Sequence, residues 1–372
     1  MKLKHSVLIL TACLCLSQPG CSLFDNVTNA FGAADTATVI AKTAQIRTSY
    51  AVVAADLLEV KRGDRLDITD QTDFEKVLWF RVRAHDEART EGWIEAQNVI
   101  TSAVLDKSKK LSAEYDGQIP QASGQLRAAS NLRLSPDMNP ENVLFKLANG
   151  STFEIMNWKF VPKQEVADVD DTKDTKQGKH SKNEEIEEAK DDDEPDKLDD
   201  KYDIWYQVRL DPSVSPAPAG WLFGRQVELS VPSDISFFQQ NNRKFVTWAR
   251  LDSDSANTTA RATTPGSWVI LTRTNVVKAI DGVEPDFDGI LVLAFDKYDQ
   301  NYYTVWRTTG EVWGLLPLRL EGTGDNKTFT IKMRSNDGKM DDKRFSVIKD
   351  KNRMKVTPPE DIAQFQTAAK SR

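Results

Sequence analysis

Apolar and polar residues alternate with a period of two along much of this chain, a spacing that predicts strands rather than helices. Phe80, Val82 and Ala84 alternate with Trp79, Arg81 and Arg83. Tyr206, Val208 and Leu210 alternate with Trp205, Gln207 and Arg209. Phe329, Ile331 and Met333 alternate with Thr330, Lys332 and Arg334. Successive side chains of a strand point to opposite faces, so the apolar sets are expected inside and the others on the reverse face. β-Branched and aromatic content between Gly, Asn and Asp turns predicts further strands at 268–273, 289–296, 302–308, 311–320, 328–334 and 344–349. A short helix is expected to begin at 237–240, and 252–266 reads as loop. The expected fold class is all-β.

Part of the pattern occurs twice. Arg47 matches Arg133, and Gly63 matches Gly150. Leu66 and Ile68 answer Phe153 and Ile155. Trp79-Phe80-Arg81-Val82-Arg83 matches Trp205-Tyr206-Gln207-Val208-Arg209, and Gly92-Trp93-Ile94 matches Gly220-Trp221-Leu222. The order of short strands, a Gly turn, a Trp-aromatic-x-Val strand and a Gly-Trp-aliphatic strand resembles the bacterial SH3-like (SH3b) domain. The resemblance covers 45–100 and 130–230. It implies two small barrels of about five strands each, at 45–102 and 129–231, joined by a linker at 103–128. A C-terminal antiparallel β domain is expected at 232–357, followed by a tail at 358–372. The run from Tyr302 to Leu316 loosely echoes the repeat and raises a third, degenerate barrel.

The two copies differ in one spacing. Gly63 to Trp79 is 16 positions, and Gly150 to Trp205 is 55. The surplus equals the acidic segment 163–201, which holds 16 acidic and 8 basic residues and few apolar ones. It is therefore expected as a disordered insertion in a loop of the second barrel. It reads as a solvated spacer or as a tether for a cationic partner. The chain's net charge of −7 comes from this segment, and the remainder is nearly neutral. No basic face for nucleic acid is expected.

The N-terminus has Lys2 and Lys4, an apolar stretch at 7–16 and then Gly20-Cys21, a secretory signal pattern. The stretch is about half the roughly 20 apolar residues a membrane-spanning helix needs. All three cysteines lie in the first 21 residues. This resembles a bacterial lipoprotein, with signal 1–20, lipid on Cys21 (Cys13 being the alternative) and a tether at 21–44. For a Gram-negative lipoprotein, Ser22 rather than Asp after the cysteine is what the resemblance ties to the outer membrane, facing the periplasm.

An outward Trp beside Arg suits stacking on a sugar or peptide. Trp79, Arg81, Arg83 and Trp93 in the first copy, and Trp205, Arg209 and Trp221 in the second, are the expected ligand-binding set. The resemblance implies peptidoglycan peptide or glycan as the ligand. The alternative is that each Trp closes its own small core. An envelope-protein assembly factor is the second functional reading, and an uncharacterised hydrolase in the C-terminal domain the third.

Catalytic signals are few. The histidines after the signal segment are His85 and His180, and no cysteine follows Cys21, so no Cys/His site can be assembled. The sequence calls for no cofactor. Gly322–Thr328 reads as a hairpin turn rather than a phosphate loop. Asp281, Glu284, Asp286 and Asp288 are the one candidate metal cluster, with a solvated turn as the plainer reading.

Overall fold

The computed structural model describes residues 35–163, 201–239, 243–252, 265–274, 276–335, 337–350 and 353–365. The signal segment, both candidate lipidation cysteines, the tether to residue 34, residues 164–200 with His180, and 253–264 lie outside them. The described residues form four antiparallel sheets and one α-helix, so the molecule is all-β. No described helix is long and apolar enough to cross a membrane.

The first sheet contains β1 (Thr36–Val39), β2 (Thr43–Arg47), β3 (Asp56–Lys61), β4 (Arg65–Phe74), β5 (Val77–Ala84), β6 (Glu91–Glu95) and β7 (Val99–Thr101). Helix α1 (Ser102–Ala113) follows. The second sheet contains β8 (Ala122–Leu126), β9 (Ser130–Arg133), β10 (Val143–Leu147), β11 (Thr152–Pro162), β12 (Tyr202–Arg209), β13 (Ala219–Phe223) and β14 (Val227–Leu229). Their orders are 3-2-6-5-4-1-7 and 10-9-13-12-11-8-14, the same path run twice. Every strand of the first sheet supplies a residue to one apolar cluster, from Val39 and Ile46 to Ile94 and Val99. The sheet must therefore curl around that core.

Irregular features repeat as well. A β-bulge follows Ile68 in β4 and Ile155 in β11. Gly63 and Gly150 enter these strands at φ +92° and +76°. Their N–H groups donate to Val39 and Leu126, both at 2.9 Å. The curled sheets close through single residue pairs, Arg47 with Trp93 and Arg133 with Trp221. A Cβ on Gly92 would stand 2.5 Å from the Arg47 carbonyl oxygen, and one on Gly220 would stand 2.6 Å from Leu132 Cγ. Close strand approach thus requires the Gly of each Gly-Trp pair.

The modules are larger than expected, with seven strands each. β1 lies in the segment read as tether, and its four residues are too short for alternation to register. The segment read as linker holds α1 and β8. The single buried residue of α1 is Ser108, whose hydroxyl donates to Ala219 O at 2.5 Å and accepts from Ala219 N at 3.1 Å. Val104 and Leu105 pack beside it, half-buried, an apolar stripe too short to read as an amphipathic helix. Ile40 and Ile100 of the first module pack into the second module's cluster, and Arg62 donates to Ser213 O at 2.8 Å. The two modules are therefore packed together.

The strands flanking the acidic segment form one hairpin. Its last pair is Pro162 with Tyr202, and Lys163 N donates to Lys201 O at 3.0 Å. The matching hairpin of the first module turns at Glu75 and Lys76, both at positive φ. The segment thus takes the place of a two-residue turn.

The third sheet contains β15 (Lys244–Arg250), β16 (Trp268–Arg273), β17 (Gly289–Asp296) and β18 (Asn301–Arg307). The fourth contains β19 (Gly314–Thr323), β20 (Asn326–Arg334), β21 (Met340–Asp350) and β22 (Arg353–Thr357). β15 and β22 were not expected, and the expected helix near 237 is a 3-10 turn at Ser236–Phe238. The third sheet is covered on both faces. Trp248, Trp268, Ile270 and Leu293 join the second module's cluster. Ala249, Val269, Leu271 and Val292 join Phe329, Ile331 and Phe345 of the fourth sheet. Burial on both faces explains the unbroken apolar run at the start of β16. The echo at 302–316 does not make a third copy, because β18 and β19 belong to different sheets. Buried Gln121 joins the layers: it accepts from Leu318 N at 2.7 Å, and its carbonyl oxygen accepts from the Thr247 hydroxyl.

Candidate functional site

Tryptophan parity on the repeated strands is as expected, but exposure is not. Phe80, Val82, Ala84 and Ile94 lie in the first core, and Val208, Leu210 and Leu222 in the second. Trp79, Trp205 and Trp221 belong to neither core cluster, yet they are only 6%, 2% and 5% exposed. The expectation of open indoles is corrected at these three positions. Trp93 alone among the four is half-exposed.

Register explains much of the difference. Trp205 pairs across the ladder with Phe223, whose ring centroid lies 5.2 Å away, and with Lys159 on the other side. The Lys159 ammonium lies 5.4 Å from the Trp221 ring centroid, and the Arg225 guanidinium 5.6 Å from that of Phe223. Trp79, the counterpart of Trp205, pairs instead with Glu95 and Thr72. Thr72 stands where Lys159 stands in the second copy and is too short to roof Trp93. The same face is therefore capped in one module and open in the other. Arg209 is held by Glu154 at 2.8 Å, and Gln207 is buried.

On the open face, Trp93 meets Tyr50 edge-on at 5.1 Å, and Tyr50 meets Phe74 at 5.0 Å. All three rings are half-buried. Arg81 lies directly opposite Trp93 in the ladder. Its guanidinium reaches Glu91 at only 3.6 Å, whereas Arg83 takes Glu91 at 2.6 Å. Surface pairs of this kind contribute about 0–1 kcal/mol, so Arg81 can exchange Glu91 for a ligand acceptor at little cost. Arg47 bonds Asp56 at 3.1 Å beside the same ring. Val77, partly exposed, stands on this face opposite Phe74. Three rings and two guanidinium groups can stack against a flat ligand and donate to its acceptors. Tyr50 and Phe74 were not among the expected residues. The Glu75-Lys76 turn was the available signal, since a two-residue hairpin puts Phe74 on the face of Val77 and Trp79.

No protein-family model matches this chain, and no curated protein matches it.

The carboxylate string at 281–288 is built into the structure rather than assembled around a cation. Asp281 and Gly282 form the turn of a small bridge between Ile280 and Val283. Glu284 binds Arg273 at 3.1 Å. Asp288 accepts from Thr274 N and Oγ1 at 2.7 and 2.6 Å. Asp286 accepts from Trp158 Nε1 at 3.0 Å and from Leu316 N at 2.8 Å, joining the second module to the fourth sheet. No group of His, Cys, Asp or Glu among the described residues is placed to hold a metal. His85 sits at the surface, bonded to Asp67 at 2.9 Å.

Burial pushes the Asp286 carboxyl up to about 6, although Leu316, Trp158 and the Arg273 charge all favour its ionised form. A raised folded-state value means that the acid's contribution to stability is fully present below 3.8, its ordinary value, and is lost as pH rises through about 6. Relative to Asp286→Asn, the wild type is expected to lose on the order of 2–3 kcal/mol between pH 4 and 7. Urea unfolding of both proteins at several pH values checks this, and a difference that grows in the opposite direction contradicts it.

Proposed function

We propose that this chain is a lipid-anchored binding protein of the cell envelope that acts without catalysis. Its first module presents the Trp93–Tyr50–Phe74 face to peptidoglycan, with the rings stacking on sugar or peptide and Arg81 and Arg47 donating to its acceptors. The observation that carries this reading is the open, ring-lined face beside a loosely held arginine. Lipid on Cys21, or on Cys13, would hold the module at the outer membrane facing the periplasm. The second module, with its indoles capped, serves as the packed support of the first.

Pull-down on purified sacculi tests the reading. Wild type is expected in the pellet, and Trp93→Ala and Tyr50→Ala are expected to reduce the bound fraction about tenfold, the loss of one stacked ring and its coupled neighbour. Wild type that stays in the supernatant sinks the proposal. Mass spectrometry of the mature N-terminus tests the anchor independently. The second reading, docking of an envelope protein on the first module, is favoured by the exposure of Val52 and Val53, 84% and 94%. Under that reading Val53→Asp abolishes cross-linking to a partner and leaves sacculus binding unaffected.

A further inference from the structure

One face of the second module has the opposite charge from the same face of the first. Ladder pairing fixes the counterparts. Lys146 stands opposite Asn131 as Glu59 stands opposite Gln45. Phe223 pairs with Trp205 as Glu95 pairs with Trp79. Val143 pairs with Arg133 where Asp56 pairs with Arg47. Three carboxylates of the first copy are therefore a cation and two apolar residues in the second. Two uncharged residues of the first copy, Thr72 and Gln97, are answered by Lys159 and Arg225.

These residues share one surface. A hollow of about 210 Å³ lies among Asn131, Arg133, Met138, Lys146, Phe223 and Gln226, and no carboxylate lines it. Arg225 stands over the Phe223 ring, and Lys159 over the ring of Trp221, the ladder partner of Arg133. Lys146 and Lys159 form no ion pair with a described residue. Arg225 meets Asp203 at 3.2 Å, with its own side chain 65% exposed. Gln226 Oε1 is buried without a hydrogen-bond partner among the described residues. Cations gathered on one face raise its potential and favour an anionic partner.

The chain carries such a partner beside this face. Residues 164–200 contain 16 acidic and six basic residues. They leave the second module between Lys163 and Lys201, close in sequence to Lys159 and to Asp203, the partner of Arg225. In the sheet order β10 is three strands from β12, about 15 Å at ordinary strand spacing. A loop of this length with its ends joined reaches at most about 60 Å, so Lys146 lies within its span. The copy that carries the acidic insertion is the copy whose face has lost its carboxylates.

We propose that the acidic segment 164–200 docks on this cationic face of its own chain, with Lys146, Arg133 and Arg225 taking its carboxylates and Gln226 Oε1 accepting a backbone N–H. The face shares no residue with the Trp93–Tyr50–Phe74 site, so failure of either reading leaves the other standing.

Zero-length carbodiimide cross-linking of the mature chain at low salt, read by peptide mapping of the monomer band, tests the docking. Lys146 is expected to join carboxylates of 164–200 at least about fivefold more often than Lys42, Lys107 and Lys332, which are also exposed. The preference should vanish near 0.5 M salt, where the Debye length falls to roughly 4 Å. Equal joining to all four lysines, or joining in a dimer band only, overturns the proposal. A variant in which the Glu-Lys turn of the first copy replaces 164–200 gives a second reading. The synthetic peptide 164–200 should bind this shortened chain about tenfold more tightly than the full mature chain, whose own segment competes at high effective concentration. Lys146→Glu combined with Arg225→Glu in the shortened chain should weaken peptide binding about tenfold with the unfolding transition retained. Equal affinity for the shortened and full chains, or unchanged affinity in the double variant, also overturns it. If the shortened chain does not fold, the cross-linking pattern alone decides.

Discussion

Trp205→Ala is expected to destabilise the protein by about 4 kcal/mol, the range for deleting a fully buried indole, and to reduce sacculus binding only as far as it unfolds the chain. Trp205 is 2% exposed, packs at 5.2 Å against Phe223 and lies on a strand at the centre of the second sheet. Trp93→Ala removes a half-exposed ring held mainly by Tyr50 and is expected to cost about 1 kcal/mol, the order of one aromatic pair. Urea unfolding monitored by circular dichroism gives both values. The contrast separates the two roles that the same motif plays in the two copies. If Trp205→Ala costs less than Trp93→Ala, the second module's face is the open one and the site has been placed on the wrong copy.

The strand pattern, the duplication and the all-β class were legible because each depends on local spacing. Parity along β5 and β12 decides which side chains enter the core, and the Gly-Trp pair marks where a curled sheet closes on itself. What was not legible depends on partners far away in sequence. Trp79, Trp205 and Trp221 have the correct parity for an outer face, yet their exposure is set by what stands opposite: Glu95 in one copy, Phe223 and Lys159 in the other. Helix α1 was hidden because only Val104 and Leu105 give it an apolar face and its one fully buried residue is Ser108. The carboxylates at 281–288 read as a charged turn or a cation site. Asp286 instead became buried, because Trp158, 128 positions earlier, supplies it with an indole N–H. The C-terminal sheets were visible strand by strand, but their layering on the second module was not, since a strand buried on both faces shows no alternation to orient it.

Gly314→Ala is the second large effect, expected at about 3–4 kcal/mol, the upper range for forcing atoms into a packed core. Gly314 begins β19, and its backbone bridges to Phe287. A Cβ there would lie against the tip of the Phe287 ring, overlapping Cζ and 2.5 Å from both Cε1 and Cε2. Phe287 is fully buried in the cluster shared by the third and fourth sheets, so the ring has no open side to move toward. The strain passes to neighbours, because Gly314 O also accepts from Asp286 N at 2.8 Å, and Asp286 in turn holds Trp158 and Leu316. One added methyl should therefore loosen the contact between the second module and both C-terminal sheets. Adding Phe287→Leu shortens the obstructing ring and should recover at least 1 kcal/mol of the loss, a coupling expected only for residues in direct contact. Unfolding measured for the two single variants and the double variant gives that coupling energy. Strict additivity would show that the methyl is accommodated by backbone movement and that the ring is not what requires glycine at this position.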